Sequence, residues 1–139
     1  MNRSDFQELA QEHLRHAKAL LDAGLYSGAY YMCGYVVECA LKACICKGTG
    51  SYDFYPHPTD AKKAWSHKFK DLIGLTEVSG KIKQERRGDN TLHVYWKVVE
   101  GWSAESRYDK RPRQREAEDL FTAVSDPVHG VPACIKRQW

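Results

Sequence analysis

The chain has 139 residues, 42% of them hydrophobic and 28% charged. That is the size of one domain and the composition of a globular protein, and it excludes a disordered or fibrous chain. The formal net charge of +3 supports only weak, salt-sensitive attraction to a polyanion. In chain order, Ser4 and Gln7 fit a capping box, and a first helix is expected to about Asp22. Its apolar stripe is Phe6, Leu9, Ala10, Leu14, Ala17, Leu20 and Leu21. Gly24 ends it as a residue free to take positive φ. A second helix follows almost at once, from near Leu25 to about Lys47. So short a link makes the two antiparallel neighbours. The second helix is apolar nearly all round, the mark of a central, buried helix. Only the sector of Tyr31, Tyr35, Glu38 and Lys42 is polar.

Residues 48–66 read as a long loop, with His57 between Pro56 and Pro58. A third helix is expected from about Lys68, after Ser66 as a cap. The basic run 81–87 is expected to be exposed. A fourth helix should span 91–102, a connection 103–112, a fifth helix 113–125 and a short sixth about 128–137. The whole reads as a single all-α domain, residues 1–139, with its core over about 4–125. No run of about 18 apolar residues marks a membrane span. The start, Met1-Asn2-Arg3-Ser4-Asp5-Phe6, has no apolar signal core, so no membrane association and a cytoplasmic location are expected. Cys33, Cys39, Cys44, Cys46 and Cys134 form an odd set and read as buried free thiols. Cys44 and Cys46 have the wrong spacing for a zinc knuckle, so no metal and no cofactor are expected.

Several side chains admit two readings. Glu38 and Lys42, four apart, suit a helix-surface ion pair worth about 0.2–0.5 kcal/mol. Alternatively Glu38 faces the bundle, where a carboxylate needs a partner, and Arg107 is the partner expected. Tyr108 reads as a packed aromatic with a satisfied hydroxyl. His67 reads as a helix-entry residue or a proton carrier. Lys110, Arg111, Arg113 and Arg115 form the densest basic run. With Lys81, Lys83, Arg86 and Arg87 it suits either a solvated face or a phosphate-binding one, with Tyr95, Trp96, Trp102 and Tyr108 available to stack bases.

Ala17-x-x-Leu20-Leu21-x-x-Gly24-x-Tyr26-x-x-Ala29, followed by Gly34-x-x-Val37-Glu38-x-Ala40-Leu41-Lys42, resembles the first two helices of HEPN domains. His67-x-x-x-Asp71-Leu72 resembles the start of that family's third helix. Trp102-Ser-Ala-Glu-Ser-Arg107-Tyr108 resembles the Arg-Tyr turn after its fourth. The resemblance covers residues 6–125 and implies an antiparallel up-and-down bundle of four to five helices that forms a homodimer. It also implies one of three roles. Many such domains are metal-independent ribonucleases of toxin–antitoxin and defence systems. Others bind RNA or nucleotides, and others are partners of minimal nucleotidyltransferases.

Nuclease members carry an Arg, four to six residues, then a His. Arg87 and His93 have five residues between them, and Arg86 and His93 have six. This pair opens the fourth helix, however, whereas the Arg-Tyr turn follows it, and no His occurs between Arg107 and His129. The leading expectation is therefore an RNA- or nucleotide-binding homodimer using Arg107, Tyr108, Arg111, Arg113 and Arg115. The alternatives are an endoribonuclease using Arg87 and His93 as catalytic pair, and a structural partner of a nucleotidyltransferase.

Overall fold

The computed structural model describes residues 1–49, 53–54, 62–108 and 113–139, with only the backbone of Arg107. The described residues form α1 (Arg3–Asp22), α2 (Tyr26–Lys47), α3 (Phe69–Gly74), α4 (Ser79–Gly88), α5 (Asn90–Glu100), α6 (Gln114–Ser125) and α7 (Val131–Lys136). Two short 3-10 turns cover Lys62–Trp65 and Ala104–Tyr108. The fold is the all-helical bundle that the sequence leads one to expect, with seven helices among the described residues rather than four or five.

The cap of α1 lies two residues before the expected Ser4. Asn2 accepts from the Asp5 amide at 3.0 Å, and the Asp5 carboxylate accepts from the Asn2 amide at 2.8 Å. An acid at this position also suits the positive end of the helix dipole. At the other end Gly24 has φ +74°. The Leu25 amide reaches the Leu20 carbonyl at 2.9 Å, and the Gly24 amide reaches Leu21 at 3.1 Å. This is a Schellman ending, which reverses the chain within three residues and sets α2 against α1.

α2 is the central post. Fourteen of its 22 residues are buried, and it packs on α1, α3, α6, α7 and the Ala104–Tyr108 turn. By length and composition it is apolar enough to cross a membrane, but here other helices of the chain cover it. Gly34 lets an aromatic ring, rather than a helix backbone, lie against α2. A Cβ at this position would stand 1.8 Å from Cε2 of Trp102. Trp102 in turn stacks on Phe69, with ring centroids 5.2 Å apart and planes at 14°. All five cysteines are free and buried. Burial pushes the Cys33, Cys39 and Cys134 thiols up to about 12, and those of Cys44 and Cys46 to about 11. They are not nucleophiles at neutral pH.

The basic run 81–87 forms most of α4, with Lys81, Lys83 and Arg87 exposed as expected. One apolar residue of that helix, Ile82, is buried, and Glu85 fastens it to the C-terminus. Arg137 Nε donates to Glu85 at 2.7 Å, and the Cys134 thiol donates at 2.8 Å. In the expected loop, the described residues Asp53 and Phe54 are tied to the N-terminus. The Phe54 amide reaches the Met1 carbonyl at 2.8 Å, and the Phe54 ring sits edge-on to Phe6 at 5.0 Å. The expectations for His57, Lys110, Arg111 and the Arg107 side chain lie outside the described residues.

Candidate functional site

Between α4 and α5 the chain turns at a single residue, Asp89. One carboxylate oxygen accepts from the Leu92 amide at 3.1 Å and caps α5. The other holds His129 Nδ1 at 2.6 Å. Asp126 Oδ1 steadies His129 by accepting the Val128 and His129 amides, each at 2.8 Å. The corner is thus clamped on both sides. It carries the end of α4 straight into the first turn of α5, bringing Arg86 and His93 together. The hydrogen bond to Asp89 raises the pKa of His129, and the bond from His129 lowers that of Asp89. The stability contributed by Asp89 is present above its unfolded value and is lost as pH falls through its lowered folded one. That of His129 is present below its unfolded value, near about 6.5, and is lost as pH rises through its raised folded one. The clamp therefore works between the carboxylate range and a pH above the ordinary histidine value. An NMR titration should find the His129 midpoint above that value and, in Asp89→Asn, returned toward it. Asparagine still caps a helix, so an unchanged midpoint would refute the clamp.

Arg86 Nε donates to His93 Nδ1 at 3.3 Å, and its Nη1 donates to Glu100 at 2.9 Å. Its guanidinium carbon lies 5.7 Å from the Trp96 ring centroid. An open pocket of about 400 Å³ is lined by Lys83, Arg86, Arg87, Asn90 and His93. Arg87 flanks it, but the arginine in contact with His93 is Arg86. Guanidinium nitrogens only donate, so Nδ1 of His93 is an acceptor and a neutral ring carries its hydrogen on Nε2.

Behind Arg86 the pocket borders a larger cleft of about 850 Å³. Its apolar lining includes Phe69, Ile82, Trp96 and Trp102, its basic lining Lys68, Lys70, Lys83 and Arg86, and His67 stands among them. Trp96 and Trp102 are core residues, 1% and 5% exposed. They shape the cleft without offering open faces for base stacking.

Glu38 on α2 is 4% exposed and Lys42 is 7% exposed, so their pair is buried rather than on the helix surface. Lys42 Nζ donates to Glu38 Oε1 at 2.8 Å, and His67 Nδ1 lies 2.9 Å from Oε2. Both carboxylate oxygens thus have partners among the described residues, and the expected contact with the Arg107 side chain lies outside them. The contact with His67 was not legible from spacing, since 29 residues separate the two. The only hint was that an acid on an apolar helix needs a partner. Ser66 accepts the Lys68 amide at 3.0 Å and donates to Asp71 at 2.9 Å, fixing the entry to α3 beside His67.

The residues of the second basic segment behave differently. Arg113 is paired with Glu116 at 2.6 Å, and Arg115 is exposed. Neither lines the pocket or the cleft. Tyr108 is 70% exposed, not packed.

A family model described as HEPN domain matches residues 4–126. No curated protein and no solved structure matches the chain.

Proposed function

We propose that this chain, which belongs to the HEPN domain family, binds RNA through the face formed by the end of α4, the start of α5 and the adjoining cleft. The observation that carries this reading is the convergence of Lys83, Arg86, Arg87 and His93 on one open pocket, with Lys68 and Lys70 continuing the positive charge along the cleft. Such a surface suits a phosphodiester backbone, its basic side chains outnumbering the acidic Glu100 and Glu105 of the cleft lining. A homodimer is part of the reading, as the family resemblance implies.

The test is fluorescence anisotropy of a labelled single-stranded RNA over a range of salt. Affinity should fall steeply with salt, by a log–log slope of about −0.7 per phosphate neutralised. The double variant Lys83→Gln/Arg87→Gln should weaken binding and flatten the slope by about 1.4. Absence of binding at low salt would contradict the reading. So would a loss caused by Arg113→Gln/Arg115→Gln but not by the α4 variant.

A second reading, a metal-independent ribonuclease, is favoured by one observation, the Arg86–His93 contact. Arginine can neutralise charge developing on a phosphorane, and a His93 carrying its hydrogen on Nε2 can supply a proton. RNA cleavage in EDTA that is lost in His93→Ala would support it.

A further inference from the structure

The cleft beside the basic pocket has an interior that phosphates do not fill. Phe69 and Ile73 of α3, Ile82 of α4, and Trp96 and Trp102 give it an apolar lining. α3 is seated on α2, whereas α4 is seated on α5 and α7, and a gap of about 850 Å³ separates the two walls. Gly74, also on the lining, would carry a Cβ with no other atom within 4 Å. A bound RNA strand would engage the cations of this cleft and leave the apolar interior empty. We propose that the cleft is a binding site for a small amphipathic anion, an aliphatic carboxylate whose chain lies between α3 and α4 and whose head group meets the lysines at the edge.

Three features support this assignment. The first is charge. Lys68, Lys70 and Lys83 line the cleft and are exposed, and none of them has an acid partner among the described residues. Two acids share the lining, Glu100 and Glu105, and Glu100 is bonded to Arg86 at 2.9 Å. The balance favours an anionic head. The second is volume and lining. Small-molecule sites are mostly apolar clefts of roughly 300–1,000 Å³ with a few polar groups that fix orientation, and this cleft has that form.

The third is the kind of contact on offer. Phe69, Trp96 and Trp102 are buried, and Phe69 and Trp102 cover each other face to face. A flat aromatic ligand therefore finds no open platform, whereas a flexible chain needs none. Arg86 has no free fork for a phosphate, since its Nε is bonded to His93 and its Nη1 to Glu100. The cations left for a head group are ammonium groups, which act as point charges and suit a single carboxylate.

Calorimetric titration of the full chain with decanoate, in the absence of RNA, tests the site independently of RNA binding. One molecule should bind per chain. Affinity should fall about fourfold for each methylene removed, so octanoate should bind more weakly and acetate not at all. Decanol, which lacks the charge, should bind more weakly than decanoate. Lys70→Gln and Lys83→Gln should each weaken decanoate by up to about fivefold. Gly74→Leu adds atoms where the chain would lie and should weaken it about tenfold or more, while Arg113→Gln should change nothing. On the wild type alone, nuclear Overhauser contacts should join the ligand methylenes to the methyls of Ile73 and Ile82. Absence of binding would overturn the inference. So would several molecules bound per chain, Overhauser contacts confined to other faces, or a decanol affinity equal to that of decanoate. Tighter binding of naphthoate than of decanoate would overturn the aliphatic class.

Discussion

Replacing Gly34 by alanine is expected to lower the stability of this domain by about 3 kcal/mol, a fall of roughly 10 °C in Tm for a chain of this length. The cause is one atom. The added Cβ would stand 1.8 Å from Trp102 Cε2 and 2.2 Å from Cδ2, far inside van der Waals contact, so the ring must move. It has little room to do so. Phe69 stacks on it at 5.2 Å, and Tyr35 meets it edge-on at 5.6 Å. A shift of Trp102 also displaces Phe69, and both line the cleft, so the variant should distort the site as well as the core. Because the loss arises from one pair, it should not be additive. Trp102→Leu alone should destabilise, yet Gly34→Ala in the Trp102→Leu background should cost much less than in the wild type. Thermal melts of the four proteins measure this coupling. Equal costs of Gly34→Ala in both backgrounds would show that the clash with Trp102 is not the cause.

Lys42→Met should be destabilising by a similar or larger amount, about 3–5 kcal/mol. The side chain of Lys42 is 9% exposed and that of Glu38 5% exposed, so removing the ammonium leaves a carboxylate inside the bundle with His67 as its remaining partner among the described residues. Methionine keeps the length and apolar stem of lysine, which confines the change to the charge. The Lys42 ammonium also lies 5.5 Å from the Phe54 ring centroid. The substitution removes this cation–π attraction too, which is worth about 0.5–1 kcal/mol. The double variant Glu38→Leu/Lys42→Met should recover most of the loss, because replacing both members of a buried pair removes the desolvation problem instead of exposing it. Denaturant unfolding of both variants decides the matter. A Lys42→Met protein as stable as the wild type would mean that water reaches Glu38 freely.

The α1–α2 hairpin was plain in the sequence because its determinants are local. The apolar stripe has helical period, and Gly24 sits where only a positive φ closes the turn. α4 was hidden because its signals conflict. Gly80 lies at its start, five of the seven residues in 81–87 are charged, and one apolar residue, Ile82, is buried. What holds α4 is distant in sequence: Glu85 bonds to Cys134 and Arg137, and tertiary contacts of that kind override a weak local pattern. The site was half legible for a related reason. Spacing alone made Arg86 and Arg87 equivalent partners for His93, and only the Asp89 corner, fixed in part by His129, decides between them. Spacing already offered Lys42 as one partner of Glu38, whereas the second, His67, could not be identified from the sequence. His67 comes from another element, and His67 and Lys42 occupy the two carboxylate oxygens.

The most direct measurement of the central claim is an NMR titration of isotope-labelled protein with a short single-stranded RNA at low salt. Amide and side-chain signals of Lys83, Arg86, Arg87 and His93 should shift together with those of Lys68 and Lys70, and the shifts should vanish at high salt. Signals that move only on other faces of the bundle, or that do not move at all, would contradict it.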